Sequence, residues 1–305
     1  MITGNLSYMK SFIDRIGIPD EAKAAVLAAE NRILADEKVF KEFCKLKKEY
    51  MDGSVSLGDT LSEITQKSIE LGVSEYTLHF NFLINCTDIL FEKYKSNNID
   101  ELIFWDTMDD FRCKLLECHD VKETWGTFVA HWFDGFLKFN RFALGRFQYE
   151  ENVYDGEVYN KYGIVLNKGD KVYGFHIPSS GKPFDKAARL ESYRKAYQFY
   201  GCREKGEKLV LTCGSWLLYK ELENILPGDS KIVDFMHDFD IVRNVETEEF
   251  GDSWRIFGKN HLLPPDRLPT TTSLQKAIAK HLSAGGKLGY GFGIIVFDGD
   301  NIVNR

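Results

Sequence analysis

The chain has 305 residues, 44% of them hydrophobic, and a formal net charge of −7. That length favours two domains and supports a full core, while the acidic balance argues against nucleic acid, whose backbone needs a basic face. No apolar run reaches the ~18–20 residues that span a bilayer, the opening MITGNLSYMK lacks the regions of a secretory leader, and six cysteines without a CxxC pair argue against a disulfide framework or zinc site. A reduced cytoplasmic protein is expected.

Residues 1–140 read as helix after helix. Pro19 opens a long segment in which Ala22, Val26, Ala29, Ile33, Val39, Phe40 and Phe43 recur at helical spacings, and Asp52-Gly53 ends it. Further helices are predicted over 57–71, closed by Gly72, over 74–94 with Leu78, Phe82 and Ile89 on an apolar face, and over 100–117. A fifth is predicted over the aromatic-rich run 125–139, whose Trp125, Trp132, Phe133, Phe136 and Phe139 read as core, as does Trp105. Pro19 is the one proline before position 178, which suits a helical bundle.

From 141 the texture changes to α+β. Strand character marks 142–149 and 163–166. In 171–177, Tyr173, Phe175 and Ile177 alternate with Val172, Gly174 and His176. The loop Pro178-Ser179-Ser180-Gly181-Lys182-Pro183 follows. Asp185 then suits the N-cap of a helix with Leu190, Tyr193, Tyr197 and Tyr200 on one face and Gly201 at its end. Another strand is predicted over 209–218, short helices over 221–225 and 232–239, and an antiparallel pair from 241–246 and 253–257. Thr272-Ser273-Leu274-Gln275 is a capping box. Its helix carries Leu274, Ala277, Ile278, His281 and Leu282 on one face and stops at Gly285-Gly286, before a last strand over 288–297.

The loop at 178–183 is the leading candidate for chemistry. A connection between a strand and a helix N-terminus offers unpaired N–H groups and the positive end of a helix dipole, which suit a phosphate. It is no P-loop: six residues rather than four separate Gly174 from Gly181, and proline follows Lys182. No GxGxxG follows a strand either. Cys213 and Ser215 share one face of their strand, so a Cys/His or Ser/His pair with His176 is conceivable if those strands adjoin, although cysteine is more often an inert buried hydrophobe. Gly289, Gly291 and Gly293 leave one strand face bare, so a packed helix or a ligand is expected to approach there. Cys118-His119 point in different directions on a helix and make no metal site. Glu246, Glu248, Glu249 and Asp252 read as a solvated turn.

Taken in order, His176-Ile177-Pro178-Ser179, Cys213-Gly214-Ser215-Trp216-Leu217-Leu218, Leu226-Pro227, Leu268-Pro269, Thr272-Ser273-Leu274-Gln275 and Gly285-Gly286 resemble bacterial two-domain acyltransferase-domain proteins. These join a helical N-terminal module to a GNAT-like C-terminal domain. The resemblance is sharpest over 140–298. It implies domains at 1–140 and 141–305, and an acyl-CoA co-substrate whose pyrophosphate is held by Ile177, Ser179, Ser180, Gly181 and Lys182. It also implies that the strands before and after this loop splay apart to admit the pantetheine arm. The usual Gln/Arg-x-x-Gly-x-Gly/Ala loop is replaced here by Pro-Ser-Ser-Gly-Lys-Pro.

The activity so implied is direct acyl transfer to a small-molecule amine or hydroxyl acceptor, without a metal. His176 is the candidate base, Ser215 or Tyr219 a donor to the leaving sulfur, and Cys213 a lining residue. A non-catalytic sensor of CoA-type anions on the same fold is the alternative, and a Cys213/His176 hydrolase a third.

Overall fold

A computed structural model describes residues 6–304, so the opening residues read for a leader lie partly outside the described chain. The chain divides between Phe142 and Ala143 into two compact units. Among the described residues no helix is long and apolar enough to cross a membrane.

The first unit is helical: α1 (Leu6–Arg15), α2 (Asp20–Ala35), α3 (Glu37–Met51), α4 (Leu57–Leu71), α5 (Glu75–Ser96) and α6 (Glu101–Lys122). The segment opened by Pro19 is thus two helices rather than one. Asp36 is extended and its carboxylate accepts from the N–H groups of Lys38 and Val39, so a capping side chain restarts the helix while the apolar spacing runs through. Phe12, Phe80 and Phe133 all pack on Phe111, with centroids 5.3, 5.6 and 4.3 Å away.

The run 125–139 is not a helix. It contains a 3-10 turn (Ala130–Phe133) and a single helical turn, α7 (Asp134–Leu137). A Cβ at Gly126 would lie 2.3 Å from the Tyr76 carbonyl carbon, and Thr127 N–H donates to Tyr76 O. The segment is therefore laid against the first turn of α5 in a conformation set by that approach. Phe133 and Phe136 are core as expected, and Trp125 stacks on His119 at 3.7 Å.

The second unit is α+β. Its strands are β1 (Arg141–Leu144), β2 (Phe147–Val153), β3 (Tyr159–Lys161), β4 (Ile164–Leu166), β5 (Lys171–His176), β6 (Leu209–Ser215), β7 (Asp240–Glu246) and β8 (Gly289–Phe297). They form a six-stranded sheet in the order β1-β2-β5-β6-β8-β7 and a separate β3–β4 hairpin. The helices are α8 (Lys186–Phe199), α9 (Cys202–Lys205), α10 (Leu222–Ile225), α11 (Lys231–Met236), α12 (Trp254–Phe257) and α13 (Ser273–Ser283), the last opened by the expected capping box.

Three expectations are corrected here. The strand over 209–218 stops at Ser215, whose Oγ accepts from Leu217 N–H and turns the chain into a 3-10 turn, Trp216–Leu218. Residues 253–257 form no partner for β7: Phe257 N–H donates to Ser253 O and closes a helical turn, and β7 pairs with β8 instead. The glycine stripe of β8 is met by other parts of the chain rather than by a packed α-helix. A Cβ at Gly289, Gly291 or Gly293 would strike Val245 O at 2.0 Å, Leu218 O at 2.0 Å or the Phe239 ring at 2.7 Å. The chain's own turn, edge strand and phenyl ring fill that face.

Candidate functional site

Register decides which side chains meet. Antiparallel β2–β5 pairing sets Gln148 across from His176 and Glu150 across from Gly174. Parallel β5–β6 pairing sets Tyr173 beside Leu211 and Gly174 beside Thr212. Because side chains alternate, Gln148, Glu150, His176, Thr212 and Gly214 share one face. Tyr149, Phe175, Leu211, Cys213 and Ser215 share the other, where Tyr193, Phe235 and Phe239 pack on Phe175. At the far end of the first face, Tyr154, Tyr159 and Leu166 cover Val172, Ile294 and Val296.

The β5–β6 ladder ends at Gly174 and Thr212. β6 continues to Ser215 with every residue paired to β8, so the C-terminal ends of the two parallel strands diverge. His176 stands at that divide, with Nε2 2.8 Å from Glu150 Oε1; the imidazole is about one-third exposed and the carboxylate more buried. A neutral imidazole that donates its Nε2–H to Glu150 carries its lone pair on Nδ1.

Beyond β5 the loop is held by its ends. Arg146 Nη1 donates to Pro178 O at 3.0 Å, and Arg189 Nη1 donates to Phe184 O at 3.2 Å. Between them Ser179, Gly181, Lys182 and Pro183 are exposed, Ile177 and Ser180 half-buried, Gly181 has φ +70°, and Lys182 N–H donates to Ser180 Oγ. Asp185 caps α8 by accepting from Ala188 N–H. The loop is thus a preformed polar turn flanked by Lys182 and Lys186. The capping carboxylate takes part of the helix N-terminus for itself, leaving mainly the loop amides for an anion.

Of the other candidates, only Ser215 lies at the divide. Cys213 is on the opposite face from His176, fully paired between β6 and β8, and burial pushes its thiol up to about 12. That arrangement gives no nucleophile–base pair. Ser215 is at the divide, on the face opposite His176. Tyr219 is buried and its hydroxyl donates to Glu246 Oε2 at 3.4 Å, on edge strand β7, two strands from the divide. Glu248 pairs with Lys287 and Asp252 with Arg255. Among the described residues no group of three His, Cys, Asp or Glu side chains is placed to hold a metal ion.

The family models for a GNAT-like C-terminal domain and an N-acyltransferase N-terminal domain match residues 142–295 and 8–138. The chain belongs to the GNAT-like acyltransferase-domain family. Its fold is shared by solved acyltransferases, one bound to decanoyl-CoA and teicoplanin (TM-score 0.72, 20% identity, 94% of this chain and 87% of that one). Another is a variant bound to octanoyl-CoA (TM-score 0.73, 19% identity, the same coverage). No curated protein is significantly similar to the chain.

Within the GNAT-like domain, the sequence pointed to His176 and the loop as candidates, and the structure sets Glu150 and Gln148 on the same sheet face as His176. Their alternation with Phe147 and Tyr149 marks them as one strand face, yet only register shows that the face also holds His176. Arg189, buried on Asp238 and Asp234, was missed; its place one turn into α8 was visible, its partners were not.

Proposed function

We propose that this protein transfers an acyl group from acyl-CoA to an amine or hydroxyl acceptor. The observation that carries this is the divergence of β5 from β6 after Gly174 and Thr212, with His176 on one face of the gap and the polar loop leading from it. The loop amides of Ser179, Ser180 and Gly181, with Lys182, offer donors and positive charge to the CoA phosphates. Relatives solved with decanoyl-CoA, octanoyl-CoA and teicoplanin support a thioester donor and a small-molecule acceptor.

The chemistry follows from the two faces. His176, with Glu150 on Nε2, takes the proton of the attacking nitrogen or oxygen on one face. Backbone N–H groups beside the splayed strand polarise the thioester carbonyl. Ser215, on the other face, donates to the departing thiolate. The C–N or C–O bond forms as the C–S bond breaks.

Thermal unfolding with CoA, acetyl-CoA and decanoyl-CoA tests the binding step, since ligand at about a hundred times Kd stabilises by roughly 2.7 kcal/mol. The expected rise in Tm falls in Lys182→Ala and Ser180→Ala, and acyl-CoA turnover falls by about a hundredfold in His176→Ala. No Tm shift with any of the three sinks the reading. Stabilisation without turnover against any acceptor favours the sensor instead.

A further inference from the structure

A second polar side chain stands beside His176 and takes no part in the fold's hydrogen bonding. Gln148 is directly opposite His176 in the β2–β5 ladder, a placement that sets the two Cβ atoms about 5 Å apart. It is 2% exposed. Its carboxamide oxygen Oε1 is buried, and no described residue donates to it. Strand residues at such positions are ordinarily apolar or satisfied, and the neighbouring Gln148 side, unlike Tyr149 OH with its partner Ser192 Oγ, has neither excuse. Along one face the row therefore runs Glu150, His176, Gln148: a carboxylate on the imidazole, the imidazole, and an acceptor waiting for a donor.

We propose that Gln148 positions the acceptor's amino group. The inference rests on the acyl-transfer reading above. A neutral primary amine brings two hydrogens and one lone pair. One N–H is directed to His176, the second to Gln148 Oε1, and the lone pair is left aimed at the thioester carbon. As the C–N bond forms and the C–S bond breaks, His176 receives the first proton, Gln148 keeps its hydrogen bond to the second, and the thiolate leaves. A hydroxyl has a single hydrogen; with that on His176, Gln148 stays unsatisfied. The row thus selects amines over alcohols by the cost of an unpaired buried acceptor.

The test compares wild type with Gln148→Met, which keeps the shape and loses the acceptor, and Gln148→Glu, which keeps an oxygen there. CoA release from decanoyl-CoA is followed with glycinamide as the amine and with water alone. The expected result is a drop of about tenfold in amine-dependent kcat for the Met variant, with hydrolysis and the KM for decanoyl-CoA held within about twofold, and partial recovery in the Glu variant. Unchanged amine transfer in the Met variant overturns the proposal, as does an equal loss of transfer and hydrolysis, which marks a structural role. Gln148→Leu serves as the acceptor-free variant if the Met protein unfolds early. If wild type releases CoA with alcohols but with no primary amine, this inference is overturned while the acyl-transfer reading stands; if neither amines nor alcohols promote release, the acyl-transfer reading fails and this inference falls with it.

Discussion

Arg189 has no solvent exposure and uses all three of its guanidinium nitrogens. Nε donates to Asp238 Oδ2 at 2.7 Å, Nη2 to Asp234 Oδ2 at 2.8 Å, and Nη1 to the loop carbonyl of Phe184, while Tyr193 OH also donates to Asp238. The charge is held because each guanidinium nitrogen has an acceptor, and the same contacts fix where the loop enters α8. Arg189→Met strands the buried carboxylate of Asp238 and is expected to cost about 3–5 kcal/mol in urea unfolding. The double variant with Asp238→Asn should recover part of that loss; a single variant as stable as wild type contradicts this account. Cys213 is the contrasting case. Its raised thiol pKa and buried place predict no alkylation by iodoacetamide in the native protein at neutral pH. Cys213→Ala should keep acyl transfer and lose about 1 kcal/mol; alkylation that abolishes activity would restore the nucleophile.

The connection from β5 into α8 was legible because its signals are short-range: alternation in the strand, Asp185 at the cap, Gly201 beyond the last turn. The same locality explains the misreadings. Asp36 interrupts an unbroken apolar pattern, and residues 125–139 carry helical spacing but are held by a backbone approach at Gly126 that no window of sequence contains. The placing of Glu150 and Gln148 beside His176 was invisible for a related reason, since it is a property of register between distant segments. The cap itself yields a test. Asp185 holds Ala188 N–H, but its charge occupies the positive end of α8. Asp185→Asn keeps a side-chain oxygen for the cap and removes the charge, so CoA is expected to bind about threefold tighter at low salt, with the gain fading at high salt. Asp185→Ala should lose about 1 kcal/mol of stability through the missing cap. Weaker CoA binding in the Asn variant would show that the phosphates do not approach this helix end.

Carboxylates of the two units pull the stability of the chain in opposite directions as pH changes. Asp298 accepts from the N–H groups of Asp300 and Asn301, which lower its pKa. Its contribution is present above the unfolded pKa and is lost as pH falls through the folded one. Glu30 in α2 is the reverse. It is 2% exposed and accepts from Asn81 and Asn85, yet burial outweighs these bonds and raises its pKa. The folded chain therefore binds that proton more tightly than the unfolded chain, and stability declines as pH rises from the unfolded pKa through the folded one. Glu30→Gln removes this ionisation while keeping an oxygen for Asn81 and Asn85, and it brings an N–H to a neighbourhood where Asn81 Oδ1 has no donor among the described residues. Lys47, the positive charge that acts on Glu30, keeps its ion pair with Asp88 at 2.7 Å. The variant is expected to be more stable than wild type by about 1 kcal/mol near pH 8, with the difference vanishing in acid where Glu30 is already protonated. Urea unfolding at both pH values measures it. A constant difference across pH would place the gain in the amide's hydrogen bonds, and a less stable variant near pH 8 would mean that the buried carboxylate is held by more than Asn81, Asn85 and Lys47.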